Sequence, residues 1–148
     1  MKTILVPVDL SKATIRVCDA ACALAKPTGA RLLLLHAVLP PFAGMAGYYA
    51  FDGLSIAEIT AAAEQAAEKR LKTLARRCAQ RHVEVRTLHR TGAPLPVILE
   101  QAKAKKAAYI VIGSHGHGGM YELLLGSTTS GVLRKARYPV LVVPIPPS

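Results

Sequence analysis

The sequence is short of cysteine, short of acidic residues and free of any long unbroken apolar span, and each shortage closes off a class of protein. Its three cysteines, Cys18, Cys22 and Cys78, make no C-x-x-C pair and have no neighbouring histidine, so they spell out no metal site and fit a reducing cytoplasm. Cys18 and Cys22 sit in an alanine-rich stretch and Cys78 ends an apolar stripe, which predicts buried small hydrophobes rather than redox thiols. From Leu32 to Phe51 there is no charged residue, yet Pro40, Pro41, Gly44 and Gly47 break the span. A buried strand followed by an apolar, aromatic flap from Pro40 to Gly53 is expected, with no membrane insertion. The opening "MKTILVPVD" has one lysine and too short an apolar run for a signal-peptide core.

What is present describes a globular chain. With 51% hydrophobic and 19% charged residues in 148, one domain over residues 1–148 with a full core is the expectation. The 19 Lys and Arg against 9 Asp and Glu leave +10, a charge that favours polyanionic or phosphorylated partners. Basic residues gather from Lys69 to Arg90 and at Lys103, Lys105, Lys106, Arg134, Lys135 and Arg137. No aromatics interleave with them, they lie opposite an apolar stripe, and Glu68 and Lys72 stand in favourable i,i+4 order. A solvated face is predicted there, not a nucleic-acid surface.

Short apolar segments alternate with helical ones along the whole chain. "TILVPV" (3–8), "RLLLLHAV" (31–38) and "YIVIG" (109–113) read as strands buried on both faces, "VEVRTLH" (83–89) as an alternating strand, and "PVLVVP" (139–144) as a last, charge-free one. Helices are predicted from an N-cap at Ser11 to a stop at Pro27 and Gly29, and from the Ser55/Glu58 capping box to about Arg81. Two more are predicted over 94–107 and from Ser127 to Ala136. On the second helix Ile56, Ile59, Ala63, Ala67, Leu71, Leu74 and Cys78 trace one face. Five strands and four helices in this order specify a doubly wound α/β fold with a mostly parallel sheet and helices on both faces. Ligands of such sheets bind beyond the strand carboxyl ends, where Asp9, Ala37, Val38 and the loop from Gly113 all fall.

That loop, "GSHGHGGMYELLLGSTTSGVL" (113–133), is the densest glycine segment of the chain. A strand running through glycines into a helix N-terminus suits an anion, because free N–H groups and the helix dipole both favour negative charge, and Ser127, Thr128 and Thr129 add hydroxyls. A P-loop is excluded, since no lysine occurs between Lys106 and Lys135. A dinucleotide G-x-G-x-x-G is excluded because Tyr121 stands where its third glycine belongs. Two loop histidines, His115 and His117, lack a third ligand and predict no metal site.

"ILVPVDLS", "LLLLHAV", "YIVIGSHGHGG" and "LLLGSTTSGVLRKARYPVLVVP" together resemble the universal stress protein family over the whole chain, in order. The G-x2-G-x9-G-[ST] spacing of Gly113, Gly116, Gly126 and Ser127 is similar to that of the family's ATP-binding branch. The resemblance implies a Rossmann-like fold of the adenine nucleotide alpha hydrolase-like kind that binds ATP, or ADP or AMP, with magnesium arriving on the phosphates. It implies phosphates and ribose against Gly113, Gly116, Gly126, Ser127 and Thr128, and the adenosine end at Asp9 and the backbone of Ala37. Pro7, Val8, Val38, Ser114, His115, His117 and Thr129 complete the candidate contact set. It implies a stress-response or regulatory sensor that is a homodimer through antiparallel pairing of the final strand, 139–144. The chain departs from the family at Leu10, where many members carry glycine, and at Ala108, often aspartate. No catalytic residue is expected. Slow ATP hydrolysis and a basic adaptor that binds a polyanion without nucleotide are the alternative readings.

Overall fold

The three segments that read as doubly apolar strands form the centre of one sheet. In the computed structural model, which describes residues 1–40, 53–115 and 125–146, five strands and four helices appear among the described residues. The strands are β1 (Thr3–Pro7), β2 (Arg31–Val38), β3 (Val85–Thr91), β4 (Tyr109–Gly113) and β5 (Val140–Val143). The helices are α1 (Thr14–Thr28), α2 (Ile56–Ala79), α3 (Pro94–Ala104) and α4 (Ser127–Lys135). Sheet order is β3-β2-β1-β4-β5 and every pairing is parallel, with Val6 opposite Leu34, Leu5 opposite Ile110 and Ile112 opposite Val142. The doubly wound α/β arrangement expected from the pattern is the one formed.

Alternate residues of the central strands feed two separate cores. Ile4, Val6, Leu32, Leu34 and Val111 pack with Val17, Cys18, Ala21 and Cys22 of α1 and with Ala67, Leu71 and Cys78 of α2. Leu5, Leu33, Leu35, Ile110 and Ile112 pack on the other face with Val97 and Ile98 of α3 and Val132 of α4. A strand apolar at every position is thus stable only between two helical layers. The edge strands β3 and β5 are more exposed, and Leu141 in β5 is 41% exposed.

The boundaries differ from the sequence expectation where tertiary partners decide them. α1 begins at Thr14 after Ala13, three residues past Ser11, because the turn before it is organised by Asp9 instead. Pro27 stands inside the last turn, and the helix stops at Gly29, whose φ of 64° is a left-handed conformation that costs glycine little. β3 runs two residues later than predicted, since its pairing with β2 extends from Leu32–Val85 to Val38–Thr91. α3 ends at Ala104, before Lys106 turns left-handed at φ 50°. At α2, Ser55 caps as predicted by accepting from the Glu58 N–H at 3.1 Å, but Ile56 is 42% exposed and only the later part of the stripe reaches the sheet.

All three cysteines are buried between α1 and α2, as small hydrophobes. Burial, followed by the neighbouring Cys78, pushes the Cys22 thiol up from 9.0 to about 12. A hydrogen bond to Cys18, together with burial, raises that of Cys78 as well. Fold and neutral thiol are therefore linked: the stability tied to Cys22 is complete below pH 9.0 and is lost as pH climbs toward about 12. The native protein should leave dithiobisnitrobenzoate unreacted at mildly alkaline pH and titrate all three thiols once denatured in guanidinium. A thiol that reacts in the native state at the rate of free cysteine contradicts this packing.

Candidate functional site

Because the sheet is entirely parallel, all five strands end on the same side. From β1 the chain winds outward to β2 and β3, then returns across the sheet to β4 and winds outward to β5. The crevice lies where that direction reverses, between β1 and β4, and two segments border it: the turn after β1 and the segment after β4 that leads to α4.

The turn after β1 is built around one carboxylate. Asp9 Oδ1 accepts from the Ser11 N–H at 3.0 Å and from the Thr14 hydroxyl at 3.3 Å, which joins the strand end to the first turn of α1. This is the ordinary turn-forming role of an aspartate, whose side chain accepts from the backbone two residues on, set at the mouth of the crevice. Val8 is held from both sides, its N–H donating to the Leu35 carbonyl at 2.8 Å and its own carbonyl lying 2.8 Å from His36 Nδ1. Pro7 pairs in register with Leu35, Ala37 packs on the α3 side, and the Val38 carbonyl accepts from the Gly92 N–H at 2.9 Å. The Ser11 hydroxyl is buried without a hydrogen-bond partner among the described residues.

Between Asp9 and Ser11 stands Leu10, with φ 63°. That region costs an L-residue about 1–2 kcal/mol. The compensation is visible: the side chain is 6% exposed within the core, and the carbonyl accepts from the Arg70 guanidinium.

The second segment is pinned at both ends. Ser114 donates through its N–H to the Val143 carbonyl at 2.8 Å, and its carbonyl accepts from the Gly126 N–H at 2.8 Å, so the start of α4 is clamped to the end of β4. The Ser114 hydroxyl accepts from the Ile145 N–H at 2.9 Å and lies 3.3 Å from His115 Nδ1. A Cβ would be crowded at both glycines of this segment. A Cβ on Gly113 would stand 3.2 Å from Val17 Cγ2 and 3.3 Å from Ile145 Cγ1, and one on Gly126 would stand 3.3 Å from His115 Cα. The contact with Val17 also brings α1 against the end of β4, joining the two borders of the crevice.

Gly126, not Ser127, is the N-cap of α4, and it offers no side-chain cap. The first intrahelical bond is Ser130 N–H to the Gly126 carbonyl, at 2.9 Å, so the N–H groups of Ser127, Thr128 and Thr129 have no acceptor within the helix. Ser127 and Thr128 stand with them at the helix start. The Thr129 side chain points inward: the residue is 3% exposed and its hydroxyl donates to the Gly113 carbonyl at 2.7 Å. Gly116 and His117 lie outside the described residues, as does most of the 40–53 flap. A carboxylate acceptor on one border and N–H donors with no acceptor within the helix on the other suit a nucleoside carrying phosphate. Among the described residues no group of three or more histidine, cysteine or acidic side chains is placed to hold a metal.

Two site residues escaped the sequence pattern. His36 carried one signal, as the lone polar side chain within "LLLLHAV", and its register partner on β3 is His89. Arg70 carried none, since on α2 it looks like the rest of the basic face. That face is solvated in part, with Lys72 3.1 Å from Glu68, but Arg77 and Arg81 both reach Asp19 of α1, at 3.4 and 2.8 Å.

The model of the universal stress protein family matches residues 1–144. Universal stress protein YxiE of Bacillus subtilis is 32% identical over 142 residues, covering 94% of this chain and 96% of that protein. Among solved structures, protein MJ0577 of Methanocaldococcus jannaschii superposes with a TM-score of 0.83 at 25% identity, over 99% of this chain and 98% of its own. A universal stress protein in complex with cAMP superposes with a TM-score of 0.67 at 26% identity, over 96% and 95%.

Thr129→Val keeps the shape of the side chain and removes its hydroxyl. Loss of the bond to Gly113 should lower stability by about 1–2 kcal/mol in urea denaturation with an unchanged m-value. A variant as stable as the parent would show that this bond does not hold α4 to β4.

Proposed function

The chain belongs to the universal stress protein family, and from that premise we propose that it binds ATP or a related adenine nucleotide and serves as a stress-response or regulatory sensor. The observation that carries the proposal is the start of α4, which has no side-chain cap and three N–H groups without an acceptor within the helix, across the crevice from the Asp9 turn. Phosphate oxygens would take the amides of Ser127, Thr128 and Thr129 and the hydroxyls of the first two, at the positive end of the helix dipole. Asp9 would accept from ribose or adenine donors, since a carboxylate repels phosphate, and the ends of β1 and β2 at Pro7, Val8, Ala37 and Val38 would border the nucleoside. Gly113, Ser114, His115 and Gly126 shape the backbone between these halves, and Gly116 and His117 belong to the same proposed set. A universal stress protein crystallised in complex with cAMP supports an adenine nucleotide as the ligand. Magnesium, when it accompanies the nucleotide, would be held by phosphates and water.

The place of β5 at the edge of the described sheet supports a homodimer. The Pro139 and Val143 carbonyls accept from β4, so by the period of a strand the N–H and C=O groups of Val140 and Val142 point away from the sheet. An edge of this kind, apolar and free of charge, pairs readily with a second copy. No described helix is long and apolar enough to cross a membrane.

Calorimetric titration with ATP, ADP, AMP and cAMP tests the nucleotide. Micromolar binding is expected, together with its loss in Gly126→Val, whose Cβ would press on His115 at 3.3 Å. A purified protein that binds none of the four, and releases no nucleotide by mass on denaturation, would overturn the reading. For assembly, sedimentation should give a dimer for the parent and a shift toward monomer for Leu141→Lys, which puts charge on the exposed edge. A parent that sediments as a monomer removes the dimer.

A further inference from the structure

The peptide group joining Leu10 to Ser11 is held at both ends. Its N–H, on Ser11, donates to Asp9 Oδ1 at 3.0 Å, and its carbonyl, on Leu10, accepts from the Arg70 guanidinium. A peptide is planar, so the two groups cannot turn independently. Rotation that releases the carbonyl from Arg70 also swings the N–H away from the Asp9 carboxylate. The conformation needs such a hold, because Leu10 sits at φ 63°, where a residue with a Cβ does not rest by preference.

Arg70 is fixed in turn. It lies near the middle of α2, next to Leu71, which is buried in the core shared with Val17, Cys18 and Leu10 itself. The guanidinium is thus carried on a helix that the sheet already positions, and it reaches 60 residues back along the chain to a turn at the crevice. From this geometry we infer that Arg70 is a positioning residue for the site: it holds the 10–11 peptide and, through it, the Asp9 carboxylate. The inference rests on the proposed nucleotide function only for its effect on affinity; the clamp itself exists without ligand.

Two measurements separate these. In nucleotide-free protein, amide hydrogen exchange read by NMR should show Ser11 exchanging about tenfold faster in Arg70→Ala than in the parent, with the core amides of β1 and β4 unchanged. Arg70→Lys, which keeps a cationic donor, should retain most of the protection. Equal Ser11 exchange in the parent and Arg70→Ala overturns the inference whatever nucleotide does. Affinity for ATP should fall about five- to tenfold in Arg70→Ala. The fall should be smaller when Leu10 is already glycine, since Leu10→Gly accepts the left-handed turn unaided. Equal losses in the two backgrounds contradict positioning through this peptide. If the parent binds no nucleotide, the proposed function fails, and faster Ser11 exchange still upholds the clamp.

Discussion

Burial of β1 on both faces and along both edges is the constraint from which the rest follows. Its neighbours β2 and β4 are parallel to it, so each connection must cross the sheet, and every crossing lays a helix on one face or the other. Ile4 and Val6 then meet α1 and α2 while Leu5 meets α3. The same topology sets the crevice, because the reversal of winding occurs at β1 and β4 and leaves their carboxyl ends side by side.

The glycines at this crevice have two kinds of work. Gly113 and Gly126 admit Val17, Ile145 and His115, and so allow strand, loop and helix to close on one another. Ligand approach is not needed to explain them. The proposed contact with phosphate comes instead from backbone N–H groups that closure leaves at the start of α4. Gly131, which drew no attention in the sequence, shows the same logic away from the site: a Cβ there would stand 2.5 Å from Leu95 Cδ2, where α3 and α4 touch. A glycine-rich motif is then partly a packing motif, and its spacing reports how far one element must travel before it meets the next.

Leu10 illustrates how a departure from a family pattern is absorbed. Where the resemblance led to the expectation of glycine, this chain carries a leucine in a left-handed conformation, at φ 63°. Burial of the side chain and a guanidinium on the carbonyl offset the steric cost. Such compensation is distributed over residues far apart in sequence. Neither Leu10 nor Arg70 looks unusual until both are seen at one turn.

The sequence by itself determined the fold class, the strands and the helices, since hydrophobic periodicity and punctuation by proline and glycine are local. It also determined the buried character of the cysteines and the capping role of Ser55. Tertiary structure decided what depends on a distant partner. The register with β2 moved β3 two residues along, Asp9 delayed the start of α1 to Thr14, and closure onto Ser114 made Gly126 the cap of α4. Thr129 and Ser127 are both hydroxyl residues of one helix start, yet only the fold turns Thr129 inward to Gly113. His36 and Arg70 joined the site for the same reason: a hydrogen bond to a backbone carbonyl leaves no pattern in the residue that supplies the carbonyl.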